Sequence, residues 1–212
     1  MENKNPIIIE LYTHDYSCNR YLIYNEDSDF AVLIDPGLDS SVVLDKLKEI
    51  NKRLGAILIT HAHYDHVVAV ADLKETTNAP VFMGEKDVGL LSNGGVLDWY
   101  FAKKLKSFIV DNRLIGGDLT VCGLNFKVIP TPGHTHGSLT YVIGDNMFTG
   151  DAIFHETYGR TDLPGSDFSE LVDSAKRLFA MPGDYKIYCG HGKTTTLSHE
   201  KQFNPIINSI RS

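Results

Sequence analysis

The stretch Ala56-Ile57-Leu58-Ile59-Thr60-His61-Ala62-His63-Tyr64-Asp65-His66 carries more information than any other in the chain. Its apolar, partly β-branched opening fits a strand buried on both faces. The run stops at Thr60, and four potential metal ligands, His61, His63, Asp65 and His66, follow within six residues. Behind them, Val67 to Thr77 has the apolar spacing of a short helix, with Val67, Val70, Ala71 and Leu73 on one side. The four groups therefore sit on a strand-to-helix turn at the C-terminal end of a strand, where open α/β sheets gather ligand sites. Three imidazoles and a carboxylate crowded on one turn repel one another when protonated and are costly to desolvate. A divalent cation, which takes neutral imidazole nitrogen and carboxylate oxygen directly, removes that conflict.

Outward from this stretch, the periodicity alternates between strands and helices. On the N-terminal side, Ile7 to Tyr12, Arg20 to Tyr24 and Phe30 to Ile34 read as strands. Asp35-Pro36-Gly37 breaks the sheet, and Asp39 or Ser40 caps a helix that ends near Asn51. On the C-terminal side, Val81 to Met83 is a short strand. Glu85 to Lys106, with the aromatic cluster Trp99, Tyr100 and Phe101, reads as one or two short helices crossing the site, either a lid or a plain connector. Leu119 to Cys122, Leu124 to Pro130, Leu139 to Ile143, Met147 to Thr149 and Tyr185 to Cys189 follow as strands. Phe168 to Phe179 is an amphipathic helix, and a last helix covers about Gln202 to Ile210. The pattern repeats roughly twice with no linker, so the expectation is one domain, residues 1–212: two sheets face to face with helices on both outer sides.

Three further residues stand just past an apolar strand on a glycine-containing turn. They are His134 in Thr-Pro-Gly-His-Thr, Asp151 in Thr-Gly-Asp and His191 in Gly-His-Gly. Taken with Thr60 to His66, this set resembles the signature of metallo-β-lactamase-fold hydrolases. The match runs from Asn19 to Ile23 and Asp35-Pro36-Gly37 through to Asn204-Pro205. The resemblance implies an αββα four-layer sandwich holding two divalent metal ions, zinc first and iron or manganese as alternatives. Carried over by position, His61, His63 and His134 hold one ion, Asp65, His66 and His191 the other, and Asp151 bridges both. Asp35 would orient a ligand imidazole. Gly133, Gly150, Gly190 and Gly192 would let four loops turn sharply enough to converge. Two ions sharing a water bring its pKa from about 15.7 towards neutrality and make a bridging hydroxide available for attack on a carbonyl. Asp65 would also accept a proton as the tetrahedral intermediate breaks down.

The segment Phe154 to Asp167 contains Gly159-Arg160-Thr161-Asp162 and looks like the corresponding part of short glyoxalase II-like hydrolases, the hydroxyacylglutathione hydrolases. That implies a thioester substrate, with Arg160 facing the site and binding a substrate carboxylate through its planar donor fork. The plainer reading is that Arg160 pairs with Asp162 across the loop. The expectation is a chain without the helical C-terminal substrate domain of full-length glyoxalase II. The sequence carries His136 and Cys189 where proline is usual, and Tyr158 where persulfide dioxygenases have cysteine. The alternatives are an iron-dependent persulfide dioxygenase or a lactone hydrolase of the same fold. A scaffold that has lost its chemistry fits poorly, because all seven ligand positions are filled.

Composition sets the outer bounds. Of the 212 residues, 42% are hydrophobic and 22% charged, ordinary values for a water-soluble globular protein. A net charge of −7 argues against a nucleic-acid partner, which wants a basic surface. Three scattered cysteines form no disulfide framework and fit a reducing compartment. The apolar run Ile7 to Ile9 is too short for a signal-peptide core or a membrane span, so a cytoplasmic protein acting on a small molecule is expected, its oligomeric state left open.

Overall fold

The computed structural model describes residues 5–11, 18–91 and 105–211. The first strands form as the sequence reads: β1 (Ile7–Leu11), β2 (Arg20–Tyr24) and β3 (Phe30–Ile34) make an antiparallel meander. Asp39 then caps α1 (Ser40–Glu49), its carboxylate accepting the Ser41 N–H. The chain returns in parallel as β4 (Arg53–Leu58), and β5 (Val81–Gly84) and β6 (Asn112–Leu114) extend the same six-stranded sheet in the order β1-β2-β3-β4-β5-β6.

The second sheet has the order β14-β13-β10-β9-β8-β7. It is built from β7 (Gly117–Val121), β8 (Leu124–Pro130), β9 (Leu139–Ile143), β10 (Asn146–Gly150), β13 (Lys186–Cys189) and β14 (Thr195–Thr196). A two-residue-strand hairpin, β11 (Ile153–Phe154) with β12 (Thr157–Tyr158), stands apart from both sheets.

Period-two alternation assigns the two faces of each strand to different cores. Tyr21, Ile23, Val32, Ile34, Ala56 and Leu58 point inward and meet Phe126, Val128, Tyr141, Phe148 and Tyr188 of the second sheet. Their neighbours Leu22, Leu33 and Ile57 point outward, under Val43 and Leu47 of α1 and Val70 and Leu73 of α3 (Val70–Thr77). On the other outer face, Met147 and Ile187 pack under Leu171, Ala175 and Leu178 of α5 (Phe168–Phe179). Three cores between four layers give the expected αββα sandwich, and each fully buried aliphatic side chain contributes roughly 1.5–3 kcal/mol.

Two expected helices are broken in the structure. Val67 to Thr77 is divided between α2 (Tyr64–Val67) and α3, because the turn at Gly37 intervenes: Ala69 donates to the Gly37 carbonyl and Gly37 to that of His66. The C-terminal helix is α6 (Leu197–Phe203) followed by α7 (Ile207–Arg211). Pro205 lacks an N–H, and Asn204 is tied by its side chain to the carbonyls of Phe154 and Thr157. Between β5 and β6, Glu85–Asp87 forms a 3-10 turn and Val88–Leu91 a short helix, α4. Trp99, Tyr100 and Phe101 lie outside the described residues, and so does the lid expected from them. No helix among the described residues is long and apolar enough to cross a membrane.

Candidate metal centre

All seven groups proposed as ligands meet at one edge of the sandwich. His61 and His63 follow β4, Asp65 and His66 lie on α2, and His134, Asp151 and His191 follow β8, β10 and β13. The rings of His61, His63 and His134 stand at 78–88° to one another, with centroids 4.4–4.7 Å apart, so three edges point at a common centre. Asp151 sits between this group and the second. Its Oδ2 is 3.3 Å from His134 Nε2 and 3.9 Å from His61 Nε2, and its Oδ1 is 3.4 Å from His66 Nε2. His191 closes the far side, with Nε2 3.1 Å from Asp65 Oδ2 and 3.6 Å from Asp151 Oδ2.

The other nitrogen of three rings is held from behind, which fixes the direction of Nε2. His61 Nδ1 is 3.0 Å from Thr60 Oγ1, His66 Nδ1 is 2.9 Å from Asp35 Oδ2, and His134 Nδ1 is 2.8 Å from the Arg160 carbonyl. Asp35 also accepts from the Thr60 N–H and hydroxyl, so one carboxylate fixes both the end of β4 and a ring on α2. Its backbone is left-handed, at φ 51°, a conformation Asp tolerates better than most residues.

Buried His61 Nε2, His63 Nε2, His134 Nε2 and Asp151 Oδ1 have no hydrogen-bond partner. Leaving four such atoms unsatisfied in one place costs several kcal/mol unless something else satisfies them. Their donor chemistry, neutral imidazole and carboxylate, is that of a divalent ion. For two of the rings and for the carboxylate between the sets, electrostatics agree. Burial drives His61 well below the usual imidazole value and takes His63 to about 3, which keeps both neutral. Burial opposes the charge on Asp151, but His66, His191, His61 and His134 outweigh it and hold the carboxyl well below its usual range.

Sequence reading missed one buried carboxylate. Asp87, in the 3-10 turn, accepts from Ala62 N–H at 2.9 Å, Gly137 N–H at 2.7 Å and Thr135 Oγ1 at 2.8 Å. It joins the loop of His61 and His63 to the loop of His134, without itself facing the centre. Asn19 and Tyr21, in the family-like Asn-Arg-Tyr, do the same for His191: Asn19 Nδ2 donates to the Cys189 and Gly192 carbonyls, and Tyr21 Oη to that of Cys189.

The glycines differ in their reasons. Gly150 turns the chain at φ 51°, as expected, with Gly133 and Gly192 also positive. Gly190 is needed for space instead: a Cβ there would run into Asp151 Oδ1 and come within 3.0 Å of His66 Cε1.

The Arg160 guanidinium makes a bidentate pair with Asp162 at 2.7 and 2.8 Å, both side chains mostly exposed, which is the pairing that the plainer of its two readings expects. What Arg160 gives the centre is its backbone carbonyl. His136 pairs on the surface with Glu170, and Cys189 packs in the core under α5, its thiol pushed up to about 12 by burial.

The sequence matches the Metallo-beta-lactamase superfamily over residues 15–191, a span that includes every group of this centre. The chain belongs to that superfamily. Among its relatives, the hydroxyacylglutathione hydrolase GloC of Haemophilus influenzae is 32% identical, covering 97% of this chain and 99% of GloC. Among solved structures, the BLEG-1 B3 metallo-beta-lactamase superposes with a TM-score of 0.89 at 31% identity, over 95% of this chain and 99% of its own. ETHE1 from Myxococcus xanthus does so with a TM-score of 0.79 at 33% identity, over 94% and 83%. The superfamily's metallo-hydrolases are enzymes acting on small molecules, and the His/Asp cluster here suits a divalent metal.

Proposed function

We propose that this metallo-hydrolase is binuclear and cleaves a thioester of the S-acylglutathione class. The observation that carries the two-ion reading is the placement of Asp151 between two ligand sets, His61/His63/His134 and Asp65/His66/His191. The thioester reading is supported by the similarity to GloC along the whole chain and by Gly159-Arg160-Thr161-Asp162.

Bound there, two divalent ions, zinc first with iron or manganese open, would supply an ionised water near neutral pH and an electrophile for the substrate carbonyl. The three-histidine set and the Asp65/His66/His191 set would each hold one ion, with Asp151 touching both. No serine or cysteine nucleophile is required. Asp65, whose Oδ2 lies 3.1 Å from Nε2 of the partly exposed His191, would accept the proton of the tetrahedral adduct as the thiolate departs. Asp35, Thr60 and the Arg160 carbonyl would keep the imidazoles aimed while this happens.

The test is metal content per chain, measured with S-lactoylglutathione hydrolysis on the same sample. About two ions and cleavage are expected, and Asp65→Asn should lower kcat far more than it raises KM. One iron with no cleavage, but oxygen uptake on glutathione persulfide, would replace this reading with a dioxygenase like that suggested by the ETHE1 likeness. Two ions with cleavage of a lactone or a β-lactam alone would keep the centre and discard the thioester.

A further inference from the structure

A second His/carboxylate cluster lies outside the centre. His155 and Glu156 are the two turn residues of the β11–β12 hairpin, and His199 is on α6. Glu156 Oε1 lies 3.0 Å from His199 Nε2 and 3.6 Å from His155 Nε2. The two imidazoles stack, with centroids 5.0 Å apart and planes at 25°, so both Nε2 atoms serve the same carboxylate. One donor atom from each of the three residues falls within 4.8 Å of the others.

The cluster is held from below. Glu156 is left-handed, at φ 55°, and its N–H donates at 2.9 Å to Glu200, a fully buried carboxylate of α6. Glu200 also accepts from Thr195 Oγ1 and Asn204 Nδ2, and Asn204 in turn binds the carbonyls of Phe154 and Thr157 at both ends of the turn. Thr196 caps α6 through the His199 N–H. The hairpin and the helix are thus locked together by contacts that use none of the three donor atoms.

We propose that His155, Glu156 and His199 form a separate site for a first-row divalent transition ion, zinc in the first instance, with its fourth position open to solvent. Two neutral imidazoles and one carboxylate are a zinc donor set. Two stacked imidazoles sharing one carboxylate cannot both carry charge without repulsion, and a single divalent ion serves both rings at once. Donors on tetrahedral zinc lie about 3.4 Å apart for bonds of about 2.0–2.1 Å. The side chains are between a quarter and a half exposed and can turn by the remaining distance. His155 also lines a cavity of about 370 Å³ with Phe154, Thr157, His191 and Lys193, so the ion would stand at the rim of the space beside His191.

The experiment compares zinc bound per chain in the wild type, His199→Ala and Glu156→Gln, each equilibrated with the same excess of free zinc, by elemental analysis after gel filtration in zinc buffer. The wild type should hold one ion more than either variant, whatever number the main centre holds, and excess zinc should raise its Tm more than theirs. Equal counts in all three proteins would overturn the proposal and leave an ion-paired His-Glu-His cluster. Glu156→Gln keeps the size of the side chain, so the comparison stands even if His199→Ala folds poorly. Because the readout is a difference, an unexpected count at the main centre does not affect it.

Discussion

Replacing Asp35 by asparagine isolates the hydrogen bonding that aims His66. Asparagine has the same shape and tolerates the left-handed backbone at this position, so strain and volume stay constant. Asp35 accepts three bonds: Thr60 N–H at 2.8 Å, Thr60 Oγ1 at 2.6 Å and His66 Nδ1 at 2.9 Å. An amide has one accepting oxygen. If that oxygen serves His66 and the hydroxyl, the amide nitrogen faces the Thr60 N–H, donor against donor. One buried donor left unsatisfied costs about 1–3 kcal/mol. For a chain of this length that lowers the Tm by about 2–4 °C per kcal/mol, so a fall of about 2–12 °C is expected in the metal-free protein. The His66 bond also loses its charged acceptor, and such changes behind a ligand weaken metal binding by about 10–100-fold. Thermal unfolding after chelation and competition with a chromophoric chelator measure the two effects separately. A Tm within a degree of wild type, with metal affinity within twofold, would refute the assignment of Asp35 as the residue that orients His66.

Asp87→Ala strips the acceptor from the Ala62 and Gly137 N–H groups and should lower the Tm by on the order of 10 °C; calorimetry decides, and Asp87→Asn should recover part of the loss. Arg160→Ala should leave KM for S-lactoylglutathione within about threefold, since the guanidinium is engaged by Asp162 and an exposed pair contributes at most about 1 kcal/mol. A tenfold rise in KM would mean that the side chain leaves Asp162 for the substrate. Of the three thiols, Cys18 and Cys189 are buried and raised by burial to about 11 and about 12; Cys122 is also raised by burial but is only half-buried, so it should be the one to react with a disulfide reagent at pH 8 before the protein is unfolded.

What the sequence makes legible here is whatever is encoded locally. Arg20–Tyr24, Phe30–Ile34, Leu124–Pro130, Leu139–Ile143 and Phe168–Phe179 form with the boundaries their periodicity predicts, because each strand or helix separates faces that pack into different cores. The seven grouped side chains are legible for a similar reason: each follows an apolar strand at a turn, and strand ends on one edge of a sandwich are brought together by the fold itself. Two-residue strands such as Thr195–Thr196 and Ile153–Phe154 are too short to show any period.

Asp87 marks the boundary of that legibility. It sits among glycines in a stretch with no clear periodicity, and nothing local distinguishes it from a surface aspartate. Its partners are 25 to 50 residues away, and they qualify as partners only because Gly84 and Gly137 have no side chains where the two loops touch. The same holds for Glu200, whose carboxylate is buried by a hairpin 44 residues earlier in the chain. Ligands announce themselves through residue type at strand ends. The carboxylates that hold the loops in place are defined by which loops meet, and that is a property of the folded chain. Metal affinity in this protein should therefore depend on Asp35 and Asp87 as well as on the groups facing the centre.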